Sequence, residues 1–412
     1  MKGALVIIDG LGDRKCRQLK GKTPLQAAFT PNLDYLAANG QLGYLHTVHE
    51  DFVPSTSEAV IEMFGQEWRD YPRGWLEALG VGIKLEKGDL ALRANFATID
   101  NLKDKNVIDR RAGRTLATKD AKILSKEINK IFVPRKYIFK PTLQHRAVLV
   151  FRGGFSDNIT EIDPAYSTNK KSEKGKLKFS VPEDDDENSQ YTANIVNNFV
   201  EKTFEVLDKH PINEFRRKRG FYPANIILPR NPGISVKKIN KFKRWACSTQ
   251  VPVMKGICKS LGINLFEFSD VEMKGSDAYK NFKKNITLEI KKNISLIKKK
   301  KKDFDYFLVY IKETDAAGHD NKPLEKKDMI EIIDKKLFSF LKKLAIKKNI
   351  KLAVTADHST PCNLKEHSAD PVPVLLFGKE QDSTKSFDEI QAREGSLGKM
   401  LGKDFLKKIN FS

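Results

Sequence analysis

Four cysteines in 412 residues, at positions 16, 247, 258 and 362, stand far apart with no paired spacing. That excludes a disulfide-stapled scaffold and predicts reduced thiols, as in a cytoplasm. No apolar run approaches the roughly 20 residues that span a bilayer, so the reading is of a protein with no membrane partner. The chain enters a strand within its first residues and shows no signal-peptide pattern, which adds to the expectation of a cytoplasmic protein. Zinc-finger and RNA-recognition signatures are missing, and no internal repeat is evident. Histidine is scarce too, with seven in the whole chain, so any clustering of histidines carries weight.

What is abundant is positive charge. Lysine and arginine number 74 against 53 acids, a net charge of +21. Such a balance suits nucleic acid or a small anionic substrate. Most of the excess is lysine scattered over surface-like helices, with one run at 298–302. Aromatic residues do not interleave with that run, as a single-strand stacking platform requires. A composition of 40% hydrophobic and 31% charged residues fits a globular chain, and the length predicts two domains.

Residues 351–367 read K-L-A-V-T-A-D-H-S-T-P-C-N-L-K-E-H. The first five form a short buried-strand pattern. Asp357 and His358 fall where it ends, and His367 follows across a turn. Imidazole nitrogen and carboxylate oxygen together suit divalent ions such as zinc or manganese. A polar turn after a core strand would carry the same Asp-His pair. A second stretch weighs against that bland account. D-F-D-Y-F-L-V-Y at 303–310 runs on to Asp315 and His319, with Gly318 placed to let the backbone approach whatever His319 binds. Residues 2–8 supply a third strand, ended by Asp9-Gly10. Open α/β sheets bind ligands outside the carboxyl ends of their strands.

Thr23-Pro24 and Thr30-Pro31 each read as an N-cap followed by proline at the first helical position. Residues 42–48 have strand character. Ser55-Thr56-Ser57-Glu58 opens an amphipathic helix. These hydroxyls suit an ordinary cap, and equally a nucleophile at a helix N-terminus, where amides and the dipole steady a phosphoryl group.

The middle of the chain differs in texture. Residues 90–98 alternate like a strand, and 107–114 set three arginines in a short loop. Arg146 and Arg152 bracket a strand; six apart, they are expected on one face. Residues 225–230 form a strand ending in Arg230. Arginines converging from loops and strand ends suit phosphate and carboxylate, which guanidinium binds bidentately. Residues 170–189 read as a polar, oppositely charged loop, and 190–207 as a helix. From 246 the first texture returns, with a strand at 251–254, a helix at 255–262 and a long helix at 276–292. The arginine-rich middle therefore reads as an insertion: an α/β domain at 1–80 and 241–412, interrupted by a smaller α/β or α+β domain at 81–240.

The ordered set V-I-I-D-G-L-G-D, K-T-P-L-Q-A-A-F-T-P-N-L-D, W-L-E-A-L-G-V-G, L-R-A-N-F-A-T, D-R-R-A-G-R, H-R-A-V-L-V, D-A-A-G-H-D and A-D-H-S-T-P resembles the archaeal type of cofactor-independent phosphoglycerate mutase, in the alkaline-phosphatase superfamily. The resemblance implies a doubly wound phosphatase-like domain holding two divalent metals, manganese first, with magnesium, zinc or cobalt as alternatives. One metal would take Asp315, His319 and His367. The other would take Asp9, Asp357, His358 and the nucleophilic serine. Substrate groups map onto Asp109, Arg110, Arg146, Arg152, Arg230 and Lys255.

The implied reaction interconverts 3-phosphoglycerate and 2-phosphoglycerate through a phosphoserine. The alternative keeps the metals and nucleophile in a phosphohydrolase or phosphotransferase acting on another phosphate ester, and a third reading is a basic nucleic-acid-binding protein. The family's G-S-D-T-[AS]-H is replaced here by P-S-T-S-E-A-V. Matching the serine-acidic pair gives Ser57 as nucleophile, counting back from Phe64-Gly65 gives Thr56, and Ser55 ranks third.

Overall fold

The strand Gly3–Ile8 is buried along its whole length, as is Tyr306–Ile311. A strand with no solvent face belongs between two helical layers, the setting of a parallel sheet. The computed structural model describes residues 1–164, 175–239, 241–268, 278–378 and 380–411. In it these two strands pair parallel, and Lys351–Thr355 pairs parallel on the other side of Gly3–Ile8. The eight-stranded sheet runs Gly398–Leu401, Gln41–His46, Val372–Phe377, Lys351–Thr355, Gly3–Ile8, Tyr306–Ile311, Trp245–Ser248, Asn264–Phe266. Val372–Phe377 runs antiparallel to both neighbours; the other pairings are parallel. This is the α/β class expected from the sequence.

Both proline-led helices form. Thr23 caps the first, accepting from Gln26 N at 3.0 Å while Gln26 Oε1 accepts from Thr23 N at 3.2 Å. Thr30 makes no such side-chain cap bond. The expectation of a strand at 251–254 is corrected: Pro252–Leu261 is helical from its proline, and the strand is Trp245–Ser248. The V-P-V run suits either period, and proline's fixed φ favours the first helical position. The long helix is Ala278–Lys300, so most of the 298–302 lysine run forms its last turn. No described helix is long and apolar enough to cross a membrane.

The chain divides into two units, residues 1–69 with 238–412, and residues 70–237. The first border lies before the helix Arg73–Gly80, not after it as the sequence suggested. Trp75 and Ala78 of that helix pack with Ala91, Val148 and Val150 of the second unit's sheet, so the helix belongs with them. In that sheet Leu90–Ile99 pairs antiparallel with Arg146–Phe151, Ile226–Gly233 and Val107–Asp109, and Tyr137–Pro141 joins through Arg146–Phe151. Phe199 and Val200, on the helix Glu187–Asp208, help close its apolar core. Residues 170–174 of the expected charged loop and 276–277 of the expected long helix lie outside the described residues.

Candidate active site

Three adjacent strands of the large sheet end level, because Ile7 lies opposite both Tyr310 and Thr355. The chain leaving them therefore delivers Asp9 and Asp357 side by side, and Asp315 from the short helix Thr314–His319. Gly10 adopts φ +62°, and a Cβ there would lie 2.6 Å from Thr360 Oγ1. Its N–H donates to Asp357 Oδ1 at 3.1 Å, locking the first loop to the last. A Cβ at Gly318 would lie 2.4 Å from the Thr360 carbonyl. The glycine lets the helix sit against that backbone.

Asp9, Asp357 and His358 bring one donor atom each to within 4.8 Å of one another, and so do Asp315, His358 and His367. His319 Nε2 lies 3.4 Å from Asp315 Oδ2. Each imidazole is oriented through its other nitrogen. His319 Nδ1 faces Lys365 O at 2.8 Å, and His367 Nδ1 faces Pro54 O at 2.8 Å. His358 Nδ1 lies 3.1 Å from Thr360 Oγ1, whose own proton goes to Asp315 Oδ1 at 2.8 Å. Carbonyl and committed hydroxyl oxygens accept, so each Nδ1 carries the proton. Each Nε2 is thereby left on the side of the carboxylates, where an unprotonated ring can ligate a cation.

The electrostatics are those of crowded acids. Burial, with Asp357 and Asp315 close by, holds the Asp9 carboxyl well above its ordinary range. Burial likewise pushes Asp357 up to about 6, against the Gly10 N–H and with Asp315 adding to it. Burial would raise Asp315 too, but His319, His367 and His358 outweigh it and hold that group well below the usual range. Asp9 Oδ1 is buried with no hydrogen-bond partner among the described residues. Such a set of oxygens and lone-pair nitrogens suits a divalent cation.

The hydroxyl cluster opens the helix Thr56–Met63. Glu58 accepts from Ser55 N at 2.6 Å, and Ser55 Oγ lies 3.1 Å from Ser57 Oγ. Thr56 is buried at the first helical position, beside Asp357 and Tyr310.

Similarity follows the geometry. The profile of 2,3-bisphosphoglycerate-independent phosphoglycerate mutase matches residues 37–213. The protein of that name from Thermococcus kodakarensis is 38% identical, over 98% of this chain and 95% of its own. That from Pyrococcus abyssi is 39% identical, over 98% and 96%. The chain belongs to this mutase family. It is therefore an isomerase by family. Among solved structures, the PH0037 protein from Pyrococcus horikoshii is similar at 32% identity and TM-score 0.76, covering 100% of this chain and 98% of that one. The cofactor-independent phosphoglycerate mutase from Thermoplasma acidophilum is similar at 30% and TM-score 0.58, covering 100% and 99%.

The second unit of this mutase gathers most, not all, of the expected anion-binding groups. Asp163, fully buried, takes Arg110 on both oxygens at 2.5 and 2.7 Å, and Arg230 at 2.8 Å. Asp109 accepts from Arg111 N at 2.7 Å and Gly113 N at 2.8 Å, and so shapes the arginine loop. Arg146 and Arg230 both act on Glu77, which Arg93 Nε meets at 2.8 Å. Burial drives the His145 imidazole well below its usual range, and Arg146, Arg111, Arg230 and Arg114 add to that. Arg152 does not join them. It lies just past the strand's far end, about 20 Å along from Arg146, and pairs with Asp89. Lys255 sits on the Pro252–Leu261 helix of the other unit and pairs with Glu267.

Sequence reasoning missed Asp163, Glu77 and Tyr310. Nothing local marks the two acids, since their partners lie far along the chain. Tyr310 carried a signal: a tyrosine at the inner end of an apolar strand needs a partner for its hydroxyl.

Proposed function

We propose that this mutase interconverts 3-phosphoglycerate and 2-phosphoglycerate through a phosphoryl group carried on Thr56, with two divalent metal ions, manganese by preference. One observation supports it above the rest: Thr56 lies buried at a helix N-terminus, beside Asp357 and a buried set of carboxylates and imidazoles. Asp9, Asp357 and His358 would hold one ion, and Asp315, His319 and His367 the other. The partnerless Asp9 Oδ1 and the crowding of three acids fit that charge. Bound there, the ions would lower the hydroxyl's pKa and neutralise phosphate charge.

Thr56 Oγ1 forms a bond to phosphorus as the ester bond to the C3 oxygen of glycerate breaks. The proton lost by the threonine matches the proton gained by the freed C3 hydroxyl. The C2 hydroxyl then takes the phosphoryl group back, so the net change is an isomerisation. Asp357, beside Thr56, would orient Oγ1, and the first amides of the helix would face the phosphoryl oxygens. The guanidinium groups of Arg110, Arg146 and Arg230 match the charges of a phosphorylated acid.

The test is manganese-loaded protein with 3-phosphoglycerate, followed by phosphorus NMR of the product and peptide mapping of quenched enzyme. The expected result is 2-phosphoglycerate with phosphate on Thr56. Inorganic phosphate alone would favour the phosphohydrolase, and label on Ser57 would move the nucleophile.

A further inference from the structure

Thr360 belongs to the A-D-H-S-T-P stretch, two residues past His358. It is wholly buried, and its backbone is tied on both sides. Its N–H donates to Gly12 O at 3.0 Å, and its carbonyl accepts from Lys326 Nζ at 3.1 Å. The side chain is enclosed as well. A Cβ at Gly318 would lie 2.8 Å from the Thr360 methyl, and one at Gly10 would lie 2.6 Å from its hydroxyl. The two glycines leave the room that this side chain fills. A β-branched residue held in this way keeps one χ1.

The hydroxyl lies between the two halves of the candidate metal site. Oγ1 donates to Asp315 Oδ1 at 2.8 Å and lies 3.1 Å from His358 Nδ1. The hydrogen bonds balance with one proton each. A carboxylate accepts only, so it takes the threonine proton, and the Oγ1 lone pairs are left for His358 Nδ1–H. In the assignment proposed above, Asp315 serves one ion and His358 the other.

We propose that Thr360 is a positioning residue shared by both ions: its single hydroxyl sets the direction of one ligand of each, and so couples the two halves of the site. This rests on the two-ion reading. Groups that orient a metal ligand from behind typically change affinity by about tenfold to a hundredfold.

The test is calorimetric titration of chelated protein with manganese. Thr360→Val keeps the branched shape and removes the hydroxyl, whereas Thr360→Ser keeps the hydroxyl and removes the methyl. In Thr360→Val the dissociation constants of both ions should rise by about tenfold to a hundredfold, and in Thr360→Ser they should stay within about threefold of the parent. A packing role against Gly318 gives the opposite order, because valine fills that space and serine does not. If circular dichroism shows that Thr360→Val does not fold, Thr360→Ala compared with Thr360→Ser isolates the hydroxyl in the same way.

An unchanged affinity in Thr360→Val overturns the inference. So does a loss in Thr360→Ser as large as that in Thr360→Val. A change confined to one ion overturns it too, since the hydroxyl would then serve one half alone. The two-ion reading fails separately: a parent protein that takes up fewer than two manganese ions sinks it before any variant is compared, and the inference falls with it.

Discussion

His358 and His367 stack face to face, with ring centroids 3.6 Å apart and planes 21° from parallel. One belongs with Asp9 and Asp357, the other with Asp315. Two imidazoles this close repel if both are protonated, and a cation held between the acids, as proposed, would take both as unprotonated ligands. Chelation should therefore abolish activity, lower the melting temperature by several degrees, and be reversed by manganese. His358→Ala, His367→Ala and Asp9→Asn should each weaken metal binding, measured by calorimetry on chelated protein. Full activity after exhaustive chelation would contradict the metal assignment.

Thr56→Ala should lower kcat by about 10³-fold or more, because the proposed phosphoryl acceptor is removed. Thr56→Ser should retain measurable turnover. Ser57→Ala should cost no more than about tenfold, as a residue engaged with Ser55. Steady-state kinetics at saturating manganese separates the three. Equal losses for Thr56→Ala and Ser57→Ala would mean that the cluster acts as a unit.

Burial raises the Glu161 carboxyl to about 7, beyond what Asn231 N and Arg230 offset, and Asp163 adds to the rise. A group whose folded pKa exceeds its unfolded value stabilises the fold fully below the unfolded pKa. That contribution is lost as pH rises through the folded pKa. Here the window runs from the ordinary glutamate range near 4.5 up to about 7. At full scale the loss is about 3 kcal/mol, an order of magnitude only. Glu161→Gln should flatten the pH dependence of stability in that window, as read by denaturant melts at pH 5 and pH 7.5. A mutant with the parent's slope would place the titrating group elsewhere.

Much of this was legible in the chain, for identifiable reasons. Gly3–Ile8, Tyr306–Ile311 and Lys351–Thr355 are short, apolar and sharply ended, so period and punctuation located them. The acids and histidines follow directly after those ends, where an open sheet binds its ligands. What sequence could not supply was side-chain direction. Arg152 and Arg146 look equivalent on a strand, yet the strand ends at Phe151 and Arg152 turns to Asp89. Ser57 matches a serine-acidic pair, yet it is Thr56 that occupies the first helical position. The V-P-V-M run fits strand and helix alike until its neighbours decide.

Lys326 is a fully buried charge in the first unit that the proposed chemistry does not use. None of its side-chain surface is exposed. Its ammonium donates to Asp13 Oδ2 at 2.8 Å, Thr360 O at 3.1 Å and Gly12 O at 3.3 Å, so all three protons are used. Those partners lie on the loops after Gly3–Ile8 and Lys351–Thr355, the two that carry Asp9 and Asp357. Asp13 Oδ1 in turn accepts from Cys362 N at 3.0 Å. Removing one partner strands the other charge away from water, which costs about 3–5 kcal/mol, whereas removing both leaves an apolar gap and no orphan charge. Lys326→Met and Asp13→Asn should each destabilise by that order, and the double mutant by less than their sum. Each single change should also weaken manganese binding, since the loops that carry Asp9 and Asp357 lose their shared anchor. Strictly additive losses in urea melts would show that the pair is not coupled and that the two loops are held by something else.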